Sequence, residues 1–260
     1  MNPAIYLRTL LIGTGRAAFH LGHALRRSGA ELIGVVGRDA GHAATLAKEL
    51  RTSSFTLDDR LPTSDLRLLA VSDDAIAEVA ARLPMSDGVI AHTSGTKPFD
   101  LLGGHRHRGV LWPIQSLSPG EPADLRDVPI VIEGEDDTAR ELLRRTAGAM
   151  SGSVIELPLE QRQVLHLAAV ISSNFPVALL QEAQRLLVAN GIAPHLVVPL
   201  WKGMAAKAAI DPEKALTGPA RRGDRGTIQQ HLDRLKDEPD LRAVYAALSE
   251  LIRKTHLPDA

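Results

Sequence analysis

Leu10-Leu11-Ile12-Gly13-Thr14-Gly15-Arg16-Ala17-Ala18 decides the fold. A short apolar run ends in G-x-G-x-x-A, and Ala17 to Arg27 reads as a helix closed by Gly29. The first glycine permits a tight turn after a strand. The second lets a pyrophosphate approach the backbone, and Ala18 lets the helix pack closely on the strand. The helix N-terminus offers free N–H groups to phosphate. The pattern is weak alone, but its place between strand and helix in a βαβ unit is the context it needs. Gly13, Thr14, Gly15, Arg16 and Ala17 are therefore candidate dinucleotide contacts, with a bare structural turn as the alternative.

Downstream the alternation continues. Leu32–Val36, Leu66–Val71, Val89–Ala91, Val110–Trp112, Pro129–Ile132 and Val154–Glu156 read as strands. Helices fit Ala40–Leu50, the stretch from Ser72-Asp73-Asp74 to Leu83, and Asp136–Met150. Such alternation predicts a Rossmann-type α/β domain, a doubly wound, mostly parallel sheet, over residues 1–157. Ser116 to Asp127, rich in Pro and Gly, reads as a surface loop. Residues 158–260 carry no strand pattern and predict an all-helical domain. Its first helix runs from Glu160 to Asn190 and should kink or split at Pro176.

Composition bounds the chemistry. The 260 residues are 44% hydrophobic, 23% charged and 3% aromatic, with a net charge of -1. Zero cysteines exclude disulfides, iron–sulfur clusters, cysteine-ligated zinc and a cysteine nucleophile. No metal site is expected. Balanced charge and scattered aromatics argue against nucleic-acid binding. Uninterrupted apolar runs fall well short of the roughly 18 to 20 residues of a membrane span, and no signal peptide is evident. These features predict a soluble cytoplasmic protein with no membrane contact. There are 23 arginines and 7 lysines, with no lysine between Lys97 and Lys202.

An NAD site usually carries an acid about 20 positions beyond the glycine turn, holding the ribose. Here that place reads Val36-Gly37-Arg38, and Arg38 suits a 2′-phosphate. NADP(H) is expected over NAD(H), unless Arg38 is simply a solvated surface residue. Ligands in doubly wound sheets sit beyond the carboxyl ends of strands. Ser72 and Asp73 fall there, as a helix cap lining the cofactor rather than as catalytic acids. His92 and Ser94 fall there too, beside a nicotinamide or in a loop held by hydrogen bonds. On the long helix, Arg162, His166 and Ser173 share nearly one face, and Asn174 lies about 80° away from His166. His166 can equally be a satisfied core histidine. Gly218-Pro219 and Arg222-Gly223-Asp224 mark a turn, with Asp224 as N-cap of the next helix.

Several of these segments together resemble one bacterial family, Rossmann-like proteins with a C-terminal domain of unknown function 2520. They are Ile12 to Arg16, Ala70 to Ile76, His92 to Gly95, Pro113 to Ser116, His166 to Asn174, and Ala215 to Asp224 with Thr227 and His231-Leu232. Such proteins are similar in plan to ketopantoate reductase, pyrroline-5-carboxylate reductase and the 6-phosphogluconate dehydrogenase group. The resemblance implies NADP-dependent reduction of a small oxo or imino acid and a homodimer formed through the helical domain. Family members often lie near pantothenate-synthesis genes, which makes 2-ketopantoate the leading substrate. Two positions depart from the pattern: Trp112 stands where the family often has His, and Arg162 where it tends to have Lys. Arginine stays protonated and is a poor proton donor. The resemblance then implies His166 as acid, Asn174 on the carbonyl oxygen, Arg162 or Arg222 on the carboxylate, Asp224 orienting substrate, and His231 in reserve. A non-catalytic NADP(H) sensor is the rival reading.

Overall fold

The structure is a computed structural model that describes residues 7–256. The outermost residues of both expected domains, 1–6 and 257–260, lie outside it. Eight strands form one sheet: β1 (Arg8–Ile12), β2 (Glu31–Gly37), β3 (Ser54–Thr56), β4 (Leu66–Leu69), β5 (Val89–His92), β6 (His107–Pro113), β7 (Ile130–Gly134) and β8 (Val154–Glu156). Their order is β3-β2-β1-β4-β5-β6-β7-β8. The chain winds outward from β1 to β3, then returns to β4 on the other side. That reversal leaves a crevice beyond the ends of β1 and β4.

Helices α1 (Arg16–Arg27), α2 (Ala40–Glu49), α3 (Ile76–Arg82) and α4 (Asp137–Met150) supply crossovers that keep neighbouring strands parallel. Among the described residues only β6 and β7 pair antiparallel. The segment joining them is the Pro- and Gly-rich loop, which has no crossover helix to carry the chain back, so the chain returns beside itself. Leu11, Leu68, Ala91 and Leu111 pack on one face with α1 and α4, while Leu10, Ile12, Leu69 and Ile90 pack on the other with α3. Cover on both faces explains the unbroken apolar strands. The short β3 was not foreseen; three residues show too little alternation.

The second half is helical: α5 (Leu159–Ala169), α6 (Phe175–Ala189), α7 (Val198–Ala208), α8 (Pro212–Ala215), α9 (Pro219–Arg222), α10 (Arg225–Arg234) and α11 (Pro239–His256). The α-helix is interrupted just before Pro176, which lies in the first turn of α6. A π-helical turn at Val170–Asn174 precedes it and absorbs the missing N–H. The helical run Leu159–Ala189 is then 31 residues long, with an 18-residue window of mean hydropathy 1.5. By length and composition alone it is apolar enough to cross a membrane, a test that a core helix of a soluble protein passes as well. The chain divides into two compact units between Ser173 and Asn174, later than the expected boundary at 157. Helix α5 belongs with the sheet.

Candidate functional site

A cleft of ≈ 690 Å³ lies at the carboxyl ends of β1, β2 and β4, lined by Gly13, Thr14, Gly15, Arg38 and Ser72 among the expected residues. Gly13 has φ +125°, and a Cβ there would sit 2.3 Å from the Ala70 carbonyl oxygen, so only glycine fits. Gly15 begins α1 with no side-chain cap and no acid in the first turn. Helices α2 and α4 are both capped, by Asp39 and Asp136. The first-turn N–H groups of α1 thus remain for an anion. Arg38 is exposed at the rim, and no ion pair among the described residues involves it. Leu57, Val71 and Val79 supply an apolar wall. Ala17 lies on the first turn and packs toward the core; only its backbone is suited to an anion. Arg16 lines an adjoining cavity.

Sequence reasoning missed Asp39 and His42, which also line the cleft. Asp39 Oδ1 is engaged by its own helix. Its carboxylate accepts the His42 N–H at 2.7 Å as cap of α2, and that bond holds its pKa low.

Beyond β5 the structure corrects three expected ligand contacts. His92 is fully buried, with Nε2 bonded to the Pro98 carbonyl at 3.2 Å and Nδ1 accepting the Ser94 N–H at 3.2 Å. Burial pushes its pKa down to about 4, so the ring is neutral and already partnered at both nitrogens. Ser94 Oγ donates to Asp73 Oδ2 at 2.8 Å and accepts from the N–H groups of Thr96 and Lys97. Asp73 also accepts from Thr96 Oγ1 and lies outside the cleft lining. Ser72 makes no side-chain cap. The bonds among His92, Ser94, Thr96 and Asp73 lock the two loops together.

Arg162 joins the same lock. Its side chain is 0% exposed and ion-paired to Glu133 at 2.7 Å, with Nε on the same oxygen at 3.0 Å. Nη1 donates to the Ser94 carbonyl and Nη2 to the Lys97 carbonyl. Glu133 also accepts the Leu159 N–H, capping α5 where Pro158 has no side chain to do so. Arg162 is a buried clamp rather than a carboxylate anchor, because its guanidinium is committed within the fold. Glu133 had a signal in the sequence, as the lone acid closing an apolar strand.

One turn on, the His166 ring lies 5.7 Å from the Trp112 ring, centroid to centroid. Trp112 rests on Gly95, where a Cβ would meet the indole at 2.6 Å. His166 is half-buried.

In the second unit, Asn174 is exposed at the end of the π turn. Arg222 closes α9 before Gly223, whose left-handed φ of 72° turns the chain. Asp224 caps α10, taking the Thr227 N–H at 3.0 Å and hydroxyl at 2.7 Å; the backbone bond is the main cause of its lowered pKa. His231 Nδ1 and the Tyr245 hydroxyl are 2.8 Å apart. Among the described residues no group of three His, Cys, Asp or Glu could hold a metal ion.

Residues 128–252 match the family model described as a domain of unknown function (DUF2520). No curated protein matches the chain. Among solved structures, a Bacteroides fragilis protein classed as an NADP oxidoreductase is 30% identical, with a TM-score of 0.88 over 95% of this chain and 98% of that one. A Thermotoga maritima protein is 26% identical, with a TM-score of 0.74 over 95% and 97%. An imine reductase from Myxococcus stipitatus, solved with NADP+, shares the fold at 17% identity, with a TM-score of 0.64 over 95% and 93%. With the first likeness extending over nearly all of both chains, this protein belongs to the family of Rossmann-like proteins that carry the C-terminal domain of unknown function 2520.

Proposed function

We propose that the protein is an NADP(H)-dependent oxidoreductase that reduces a small 2-oxo or imino acid, with 2-ketopantoate the leading substrate. The observation that carries this reading is the uncapped, acid-free start of α1 opening into a cleft with Arg38 at its rim. The Bacteroides fragilis relative's class supports the same cofactor. When bound, reduced nicotinamide supplies a hydride to the substrate carbon. The turn Gly13–Ala17 would hold the pyrophosphate through backbone N–H groups, and Arg38 would pair with the 2′-phosphate. His166 gives a proton to the oxygen or nitrogen that the hydride leaves electron-rich. Asn174, Arg222 and Asp224 enter on their chemistry alone: an amide for the carbonyl oxygen, a guanidinium for the carboxylate, and the cap that holds Arg222's turn.

The test is NADPH consumption over a panel of 2-oxo and imino acids, with calorimetry of NADPH against NADH. Turnover that falls at least a hundredfold in His166→Ala supports the reading. Tight NADPH binding with no turnover favours a non-catalytic sensor, a rival that the burial of Arg162 keeps in play.

A homodimer formed through the second unit completes the proposal, in a cytoplasmic setting. Among the described residues, only Ala220 and Leu235 of that unit are buried apolar side chains, while Leu200 and Ile210 are 74% and 88% exposed. A second copy would cover them.

A further inference from the structure

We propose that a second cavity, of ≈ 490 Å³, seats the cofactor's 2′-phosphate, and that His42 selects for that group. The inference rests on the NADP(H) reading and deepens it. The cavity adjoins the main cleft and shares Thr14, Gly15 and His42 with it, so one ligand lying across the glycine turn reaches both. His42 stands between the two spaces, and each adds an arginine, Arg38 in the main cleft and Arg16 in the second. The main cleft offers Leu57, Val71 and Val79, an apolar seat for a base. The second places Arg16 on one wall and His42 on another, with Arg38 at the neighbouring rim. A phosphate monoester is the group that guanidinium groups and an imidazole N–H recognise together.

Its third wall is fixed, not a loose loop. His20, buried on α1, bonds the Ser118 carbonyl through Nε2 at 2.9 Å and accepts the Ala123 N–H at Nδ1 at 3.0 Å. These two bonds hold Pro119 and Gly120 against the cavity. Of the acids, Glu49 lines the cavity itself and is bonded to His23 at 3.0 Å, and Asp39 caps α2. Asp39 Oδ1 also lies 3.8 Å from His42 Nδ1, so a bound phosphate competes with it for that ring.

The phosphate could be the 2′ group or the 5′ pyrophosphate, and three nucleotides separate them. Calorimetry would compare 2′,5′-ADP, ADP and 5′-AMP on the full chain, His42→Ala and Arg38→Ala. The His42 side chain is 79% exposed, so its variant retains the fold. His42→Ala should weaken 2′,5′-ADP about tenfold, the size of one charge-assisted hydrogen bond, and leave ADP and 5′-AMP within about twofold. His42→Lys should restore tight binding. Equal weakening of ADP would assign the cavity to the pyrophosphate and overturn the inference. So would unchanged 2′,5′-ADP binding in His42→Ala while Arg38→Ala weakens it; the NADP(H) reading would then stand alone. Wild-type protein that binds 2′,5′-ADP no better than 5′-AMP would remove both.

Discussion

At the scale of single residues, buried charge separates clamp from catalyst. Arg162→Met leaves the Glu133 carboxylate, 16% exposed, without its cation. Breaking such a pair from one side costs about 3–5 kcal/mol, and urea denaturation should show it. The double variant with Glu133→Gln should recover part of that loss; no recovery would mean that the loop carbonyls, not the ion pair, set the cost. His92 gives a pH dependence with a definite sign. Its folded pKa, about 4, lies below the ordinary 6.5. The unfolded chain therefore binds the proton more tightly, and stability falls as pH drops from about 6.5 toward 4. The full effect is on the order of 3 kcal/mol. His92→Gln should flatten that slope in thermal melts; an unchanged slope would assign the acid sensitivity to other groups. Gly13 was legible in the sequence because its strain is local. Arg162 and His92 were not, because their partners lie in other elements and only the fold brings them together.

At the scale of elements, the start of α1 is built for a ligand at some cost to the helix. Gly15 is an indifferent cap, and Arg16 places a cation where the dipole is already positive. Arg16→Glu should therefore raise the stability of the free protein by about 0.3–1 kcal/mol and weaken NADPH by at least tenfold. Melting and calorimetry would read the two effects separately. A variant that binds NADPH unchanged would place the phosphates away from this helix end. The parallel crossovers followed from apolar runs alternating with helices, whereas the strand order came only with the fold. The antiparallel β7 did not follow from them either, since it depends on what the loop lacks. The π turn before Pro176 shows the same limit, because a sequence marks the proline but not the hydrogen-bond shift that precedes it.

At the scale of the whole molecule, the distribution of burial is uneven in a way that one chain does not resolve. Both core clusters draw only on the first unit, and the second buries little more than Ala220 and Leu235. A unit of that size without a core is not stable on conformational grounds, since ordering its residues costs more than its local contacts return. Its exposed apolar residues recur at helical spacing, Leu196, Leu200 and Met204, so they form a stripe rather than scattered points. The same accounting explains an apolar α5–α6 run without placing it in a bilayer: a partner's apolar stripe would serve in place of lipid. In a symmetric dimer each copy contributes Leu200, so Leu200→Glu loses twice the roughly 1.5–3 kcal/mol of one buried leucine. Light scattering should give twice the chain mass for the wild type and the single chain mass for the variant, with a lower melting temperature. A wild type that stays monomeric at micromolar concentration, or a variant that stays dimeric, would assign the stripe to another partner.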